Sequence, residues 1–402
     1  MHDRNSYKEE ILDFLSNSRF LVPEDPNFFH GRIYGKSQPP APKVLWASSE
    51  TPRHDHDAPE WLTATEYIES EDVLEDKVEW LIALLKISSK TVIYTGAGIS
   101  TAAGVEQAAR GVGGQKKKIG CSTEAEPTLT HKAIAALHKA GLVHSWIQQN
   151  HDGLPQKAGY PQEDIVEIHG SWYDPSNPVV CYDGNLKQEH FQKMKDAADE
   201  ADLVLVLGTS LSGLNSDRVA KDPAQRSLTG KSLGTVIVNL QQTKQDGISS
   251  LRIFSQTDAV FSSLLDKLSL SLPSTPKYNE ENRAIVPYNK YGRRSTTTKM
   301  VLDLSEGQPI RLNPNHNCQG SRQGAFMHIG ATQAIKYRGK VRKPGPGIGI
   351  VLGYSEQECG WKLEVEGVHM LLGGWWLRAA QKGELQFIPV INMDPQTFDV
   401  VN

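Results

Sequence analysis

The sequence predicts an α/β protein, a doubly wound parallel sheet with an added C-terminal β-rich domain, and three observations carry that expectation. Between Glu71 and Leu268, short and almost wholly apolar runs alternate with amphipathic helical spacings, the pattern of a parallel sheet covered on both faces. From Lys299 onward the helical period gives way to short β-like runs separated by Gly-rich turns such as Pro344-Gly345-Pro346-Gly347. The third observation is the stretch Thr91 to Gly104, TVIYTGAGISTAAG, in which an apolar strand runs straight into a turn of small residues. Two glycines there let the main chain approach a pyrophosphate, with the N–H groups of the turn aimed at the anion. No Gly-Lys-Ser/Thr follows, so this is not a Walker loop, and it matches GxGxxG only loosely.

Composition narrows the classes. A chain of 402 residues holds two or three domains' worth of core. Hydrophobic content of 38% and charged content of 22% are those of a soluble globular protein. No apolar run approaches the ~18 residues of a membrane helix. The net charge of −4 offers nucleic acid no global attraction. The start MHDRNSYKEEILDF lacks the basic and apolar regions of a secretory signal. Cys121, Cys181, Cys318 and Cys359 lie far apart with no CxxC, which argues against a disulfide framework and a tetra-thiolate zinc site. The expected location is a reducing compartment, nucleus or cytoplasm.

Residues 1–72 read as an N-terminal arm on the main domain. It has a helix from Ser6, the possible cap, to Leu21, then a Pro-rich stretch anchored by Trp46, Trp61 and Tyr67. His54-Asp55-His56-Asp57 within it reads as a solvated loop rather than a metal site. Residues 73–272 read as the α/β domain, with helices over Val73–Ile87, Thr128–Ala140, Gln188–Glu200 and Asp258–Leu268. Its strands are expected at Thr91–Tyr94, Leu142–Ile147, Asp164–Ile168, Asp202–Leu207 and Gly234–Leu240. Residues 273–298, rich in Pro, Ser and Asn, read as a linker. Residues 299–402 read as a small β-rich domain, with runs at Met300–Leu304, Gly324–Ile329, Ile348–Tyr354, Trp361–Val365, His369–Leu372, Trp375–Arg378 and Leu385–Ile391. Trp361, Trp375 and Trp376 suit core packing better than a binding surface. Lys336, Arg338, Lys340, Arg342 and Lys343 form a basic segment suited to nucleic acid or an acidic partner.

Ligands of open parallel sheets bind at the carboxyl ends of the strands. There the sequence places Gln148-Gln149-Asn150-His151-Asp152-Gly153-Leu154, then His169-Gly170, then Gly208-Thr209-Ser210, then Asn239. Amides, a carboxylate, an imidazole and small hydroxyls around a Gly-rich turn suit a dinucleotide carrying riboses and an amide-bearing ring.

With these motifs in place, the region from about Glu71 to Leu268 resembles the sirtuins, the family of NAD-dependent protein-lysine deacylases with a Rossmann-like sheet. The motifs are GAGIST at Gly96 to Thr101, QQNHDGL at Gln148 to Leu154, EIHG at Glu167 to Gly170, GTSL at Gly208 to Leu211 and VNLQQTKQD at Val238 to Asp246. The AEPTLTH run at Ala125 to His131 is similar in style to the nuclear class IV branch. The resemblance implies that His169 is the general base on a ribose hydroxyl, that Asn150 orients that ribose and that Asp152 receives the nicotinamide amide. It also implies a cofactor site of Gly96, Ala97, Gly98, Ile99, Ser100, Thr101, Arg110, Gln149, Gly208, Thr209, Ser210, Asn239, Leu240, Gln241 and Thr257.

Two departures accompany the match. The family's Gly-Ile-Pro-Asp-Phe-Arg-Gly run is replaced by Gly104-Val105-Glu106-Gln107-Ala108-Ala109-Arg110-Gly111, without proline, aspartate or aromatic ring. Lys116-Lys117-Lys118 beyond it reads as a solvated face, with anion contact the alternative. The family's zinc-ribbon module is missing: only Ser171 to Asn177 intervenes before Pro178, so zinc is not expected. The leading expectation is an NAD-dependent deacylase acting on an acyl-lysine protein or peptide, releasing nicotinamide and O-acyl-ADP-ribose. An NAD glycohydrolase or ADP-ribosyltransferase, and a non-catalytic NAD-binding regulatory protein, are the alternatives.

Overall fold

The computed structural model describes residues 4–18, 27–50, 59–105, 122–177, 179–180, 186–211, 215–278, 281–313, 335–337, 340–342 and 347–400. The chain divides into two units. The first comprises Met1–Lys118, Pro127–Gln148 and Phe191–Pro273, and the second Ile119–Glu126, Gln149–His190 and Ser274–Asn402.

A parallel sheet organises the first unit. Its strands Ser145–Gln148, Thr91–Thr95, Leu203–Leu207, Gly234–Val238 and Leu251–Ile253 stand side by side in that order. In register, Ile93 lies between Trp146 and Leu205, and Leu205 is next to Val236. Every residue of TVIYT, LVLVL and GTVIV is buried, which is why these runs carry no alternation. Helices Glu71–Ile87, Leu129–Lys139, Arg218–Ser227 and Thr257–Leu268 cover the sheet with apolar faces, exemplified by Val78, Leu81 and Leu85. Among the described residues no helix is long and apolar enough to cross a membrane.

Sequence expectation and structure part company in several places. The first helix spans Arg4–Asn17, so Ser6 lies inside it rather than capping it. Leu15, Arg32 and Ile33 of the arm are buried, whereas Trp46 and Trp61 stay partly exposed. Arg32 holds its place by donating to Leu15 O at 3.1 Å and to Ser227 Oγ at 2.8 Å. Tyr67 does act as an anchor, its ring 5.5 Å from those of Phe29 and Phe254. The strand Leu251–Ile253 was hidden in the sequence by its central arginine, and the helix Arg218–Ser227 by its polar composition and internal Pro223. The tetrad His54 to Asp57, the run Gly324–Ile329 and Lys116 to Lys118 lie outside the described residues.

The second unit is built on antiparallel sheets. Five strands run in the order Val368–Gly373, Gly360–Val365, Ile348–Ser355, Pro309–Leu312, Val390–Asn392; three more run Thr397–Asp399, Thr298–Asp303, Arg283–Val286. The last falls inside the stretch expected as a linker, where Ala284 pairs with Leu302. The run Trp375–Arg378 is not a strand: it opens a helix, Trp375–Lys382, closed by Gly383 in the left-handed conformation. Two tryptophans bias a short window toward strand, but WWLRAAQK places Trp375, Trp376, Leu377, Ala379 and Ala380 on the buried side of a helix. Trp361, Trp375 and Trp376 all belong to the core, as expected, and Tyr173 joins them there. Within the basic segment, Ile335–Tyr337 pairs antiparallel with Lys340–Arg342, while Arg338 and Lys343 lie outside the described residues.

Candidate functional site

In the first unit the Gly-rich turn forms as the strand ends. Thr91–Thr95 passes into Gly96, then into two short 3-10 turns, Ala97–Ile99 and Thr101–Ala103. The turn after Leu203–Leu207 crosses directly against it: Gly98 N–H donates to Gly208 O at 2.7 Å. A Cβ at Gly98 would stand 2.6 Å from Gly208 Cα, and one at Gly208 would stand 2.6 Å from Ile99 N. Both glycines are therefore demanded by main chain packed on main chain, and the bare backbone that results suits a diphosphate. Ser100 is buried, Thr101 is exposed with its hydroxyl donating to Gly98 O at 3.2 Å, and Thr209 is buried beside the partly exposed Ser210.

Asn239, Leu240 and Gln241 follow the strand Gly234–Val238, and a residue that sequence reasoning passed over holds them. The fully buried Arg252 donates to Asn239 O at 2.9 Å and to Gln241 O at 2.6 Å. It is ion-paired with Asp246 at 2.9 Å and stacked 3.6 Å over the ring of Phe254. Beneath it Lys77 donates to Arg252 O at 2.5 Å and pairs with Glu69. Burial pushes Lys77 down to about 8 and raises Glu69, each opposed by its partner's charge. Asp246 closes the VNLQQTKQD motif and was the only visible signal; Lys77 and Glu69 left none. Thr257 opens a helix, and its hydroxyl accepts from Thr130 Oγ1 at 3.0 Å. Arg110 lies outside the described residues.

The unit boundary falls between Gln148 and Gln149, so Gln149, Asn150, Asp152 and His169 belong to the second unit. His169 Nδ1 lies 3.2 Å from Gln149 O. A carbonyl only accepts, so Nδ1 carries the hydrogen and Nε2 keeps its lone pair. Burial, with a smaller contribution from His151, lowers the imidazole to about 4, so the ring is neutral at ordinary pH. His151 Nδ1 lies 3.0 Å from Gly170 O, and Val180 N–H donates to His169 O at 3.0 Å, fastening the His169-Gly170 turn on both sides. Asp152 is fully buried and its Oδ1 accepts from Leu154 N–H at 3.1 Å. Asn150 is partly exposed.

Glu167, two residues before His169, is another group whose part was not foreseen. Burial, reinforced by Asp174, drives it up to about 8, which keeps it protonated at neutral pH. Its main-chain O accepts from Asn177 Nδ2 at 3.0 Å and from Gly170 N–H at 3.2 Å. Among the described residues no three His, Cys, Asp or Glu side chains gather as metal ligands.

Comparison with known proteins adds to this geometry. The model of the Sir2 family matches residues 116–177. The chain is 28% identical over 297 residues to the NAD-dependent protein deacetylase sirtuin-7 of Bos taurus, spanning 61% of this chain and 73% of that one. It is 30% identical over 277 residues to the NAD-dependent protein deacetylase Sirt6 of Drosophila melanogaster, spanning 56% of this chain and 86% of that one. A solved structure described as Sir2-p53 peptide-NAD+ aligns with 48% of this chain and 98% of its own at 24% identity, with a TM-score of 0.40. Strand-end motifs, parallel sheet and relatives agree, and the chain belongs to the sirtuin family.

Proposed function

We propose that this chain is an NAD-dependent protein-lysine deacylase with His169 as general base, acting on an acyl-lysine peptide in a reducing compartment, nucleus or cytoplasm. The observation that carries the reading is the state of His169, a neutral imidazole whose Nδ1 is committed to Gln149 O. NAD, when bound, supplies a ribose whose bond to nicotinamide is broken as the acyl oxygen attacks. The bare main chain at Gly96, Gly98 and Gly208 fits its diphosphate, with Ala97, Ile99, Ser100, Thr101 and Arg110 on the same stretch. Thr209, Ser210, Asn239, Leu240, Gln241 and Thr257 serve its adenosine side.

The chain's own residues then divide the work. Nε2 of His169 takes the proton of a ribose hydroxyl and holds it on the ring. Asn150 orients the ribose, Asp152 receives the carboxamide and Gln149 fixes the imidazole through its carbonyl. Protonated Glu167 adds no negative charge beside the base. Zinc-independence belongs to the same proposal and rests on the interval Ser171 to Asn177, which contains no cysteine; metal analysis of purified protein tests it, one zinc per chain refuting it. Incubation of the full chain with NAD and an acetyl-lysine peptide, read by mass spectrometry, is expected to yield nicotinamide and O-acetyl-ADP-ribose in equal amounts. Peptide-independent release of free ADP-ribose would replace this reading with NAD hydrolysis.

A further inference from the structure

In the second unit, the loops carrying Asn150, Asp152 and His169 share a core with the C-terminal sheets, and one side chain touches the supports of both. Gly153, immediately after Asp152, has φ +63°, and a Cβ there would stand 2.7 Å from Tyr173 Cδ2 and 3.0 Å from Trp375 Cη2. The Tyr173 and Trp375 rings lie 5.2 Å apart. The indole N–H of Trp375 donates to Gln162 Oε1 at 2.8 Å, and the same oxygen accepts from Gln156 Nε2 at 3.2 Å. Gln156 sits on Leu154–Lys157, the short helix that follows Asp152 and Gly153. Gln162 opens the turn Gln162–Asp164, which runs without a break into Ile165–Glu167 and then His169. Tyr278 adds a donation to Gln156 O at 2.9 Å, and Gly373 N–H donates to Tyr173 O at 3.0 Å.

We propose that Trp375 is a positioning residue that sets the Asn150–Asp152 loop and the His169 turn relative to each other, making the C-terminal β unit a working part of the reaction. This rests on the deacylase reading for its kinetic consequence and on geometry alone for its structural one. Trp375 touches no reacting atom; it fills the face of Gly153 that a side chain would occupy and ties the two approach segments through one amide oxygen. Its removal frees both loops without unpairing any charge.

The test uses the full chain with NAD and an acetyl-lysine peptide, comparing Trp375→Phe with Trp361→Phe. Trp361 is also buried in the same core but donates to Asn282 Oδ1 at 3.1 Å, away from the loops. Trp375→Phe is expected to raise KM for NAD and lower kcat/KM about tenfold or more, with faster amide hydrogen exchange over residues 153–169. Trp361→Phe is expected to alter thermal stability without moving KM. Gln162→Leu, a change on a partly exposed turn, is expected to reproduce the Trp375→Phe shift, and Gln162→Glu, which keeps an acceptor oxygen, to stay near wild type. Equal exchange in the two tryptophan variants, or faster exchange with KM unchanged, overturns the proposal. If the wild type turns over no NAD, the deacylase reading fails; faster exchange in Trp375→Phe alone then still supports the clamp, and equal exchange overturns it.

Discussion

In the proposed reaction His169 is the base, and its environment makes the pH profile a direct readout of that role. Because burial lowers the imidazole from 6.5 to about 4, kcat/KM for NAD is expected to stay level from pH 8 to about 5 and to fall below that as Nε2 protonates. A rate that halved near pH 6.5 would contradict the burial argument. His169→Asn is expected to leave NAD binding by calorimetry intact while cutting turnover by about 10²- to 10⁴-fold. Gly98→Ala tests the crossing of the two turns: with Gly208 Cα only 2.6 Å from the new Cβ, it is expected to cost about 1–3 kcal/mol in denaturant melts and to weaken NAD binding. At this scale the sequence was most informative, because Gly98, Asp152 and His169 each sit inside a short contiguous motif. What it withheld was the cause of their state. The burial that neutralises His169 and protonates Glu167 is a property of the folded loops, not of any residue pattern in the chain.

Among the elements, the buried quartet Glu69, Lys77, Asp246 and Arg252 joins the helix Glu71–Ile87 to the strand Leu251–Ile253 and the loop after Gly234–Val238. A charge left alone in such a place costs far more than the pair contributes. Glu69→Leu is expected to destabilise the protein by about 3–5 kcal/mol. The double change Glu69→Leu with Lys77→Met, which removes both charges, is expected to recover most of that, and equilibrium urea unfolding of both variants distinguishes the two effects. The parallel strands were legible because five-residue apolar runs between amphipathic helices have few other uses. Leu251–Ile253 was not, since an arginine at its centre reads as surface until Asp246 and the carbonyls of Asn239 and Gln241 are seen around it. Trp375–Lys382 was misjudged for a related reason: its Ala-rich second half decides the helix, but the paired tryptophans at its start dominate a short window.

At the scale of the molecule, burial holds the rings of His30, His131 and His169 neutral inside the fold. His30 and His131 are each lowered to about 3 and His169 to about 4, burial being the first cause in all three. Their unfolded values lie near 6.5, so between that pH and about 4 the unfolded chain binds more protons and stability falls as pH falls. By pH 5 each is expected to contribute about 2 kcal/mol of lost stability, measurable as a falling midpoint in urea melts from pH 7 to 5, with His131→Asn flattening the slope. Two interleaved units were not legible in a chain read end to end, because the residues that join 149–190 to the C-terminal sheets, Tyr173 and Trp375 foremost, lie in stretches that look independent. That division has a consequence for how the protein is made. About 220 residues separate Gly153 from Trp375, on the order of 10–45 s of translation. For that interval the emerging chain carries its Asp152 and His169 segments without the aromatic partner that packs on them, so these loops are completed only after Trp375 has emerged. A ribosome-arrested chain stopped at Pro273 is expected to be cleaved by protease between residues 150 and 177, where the released full-length protein resists.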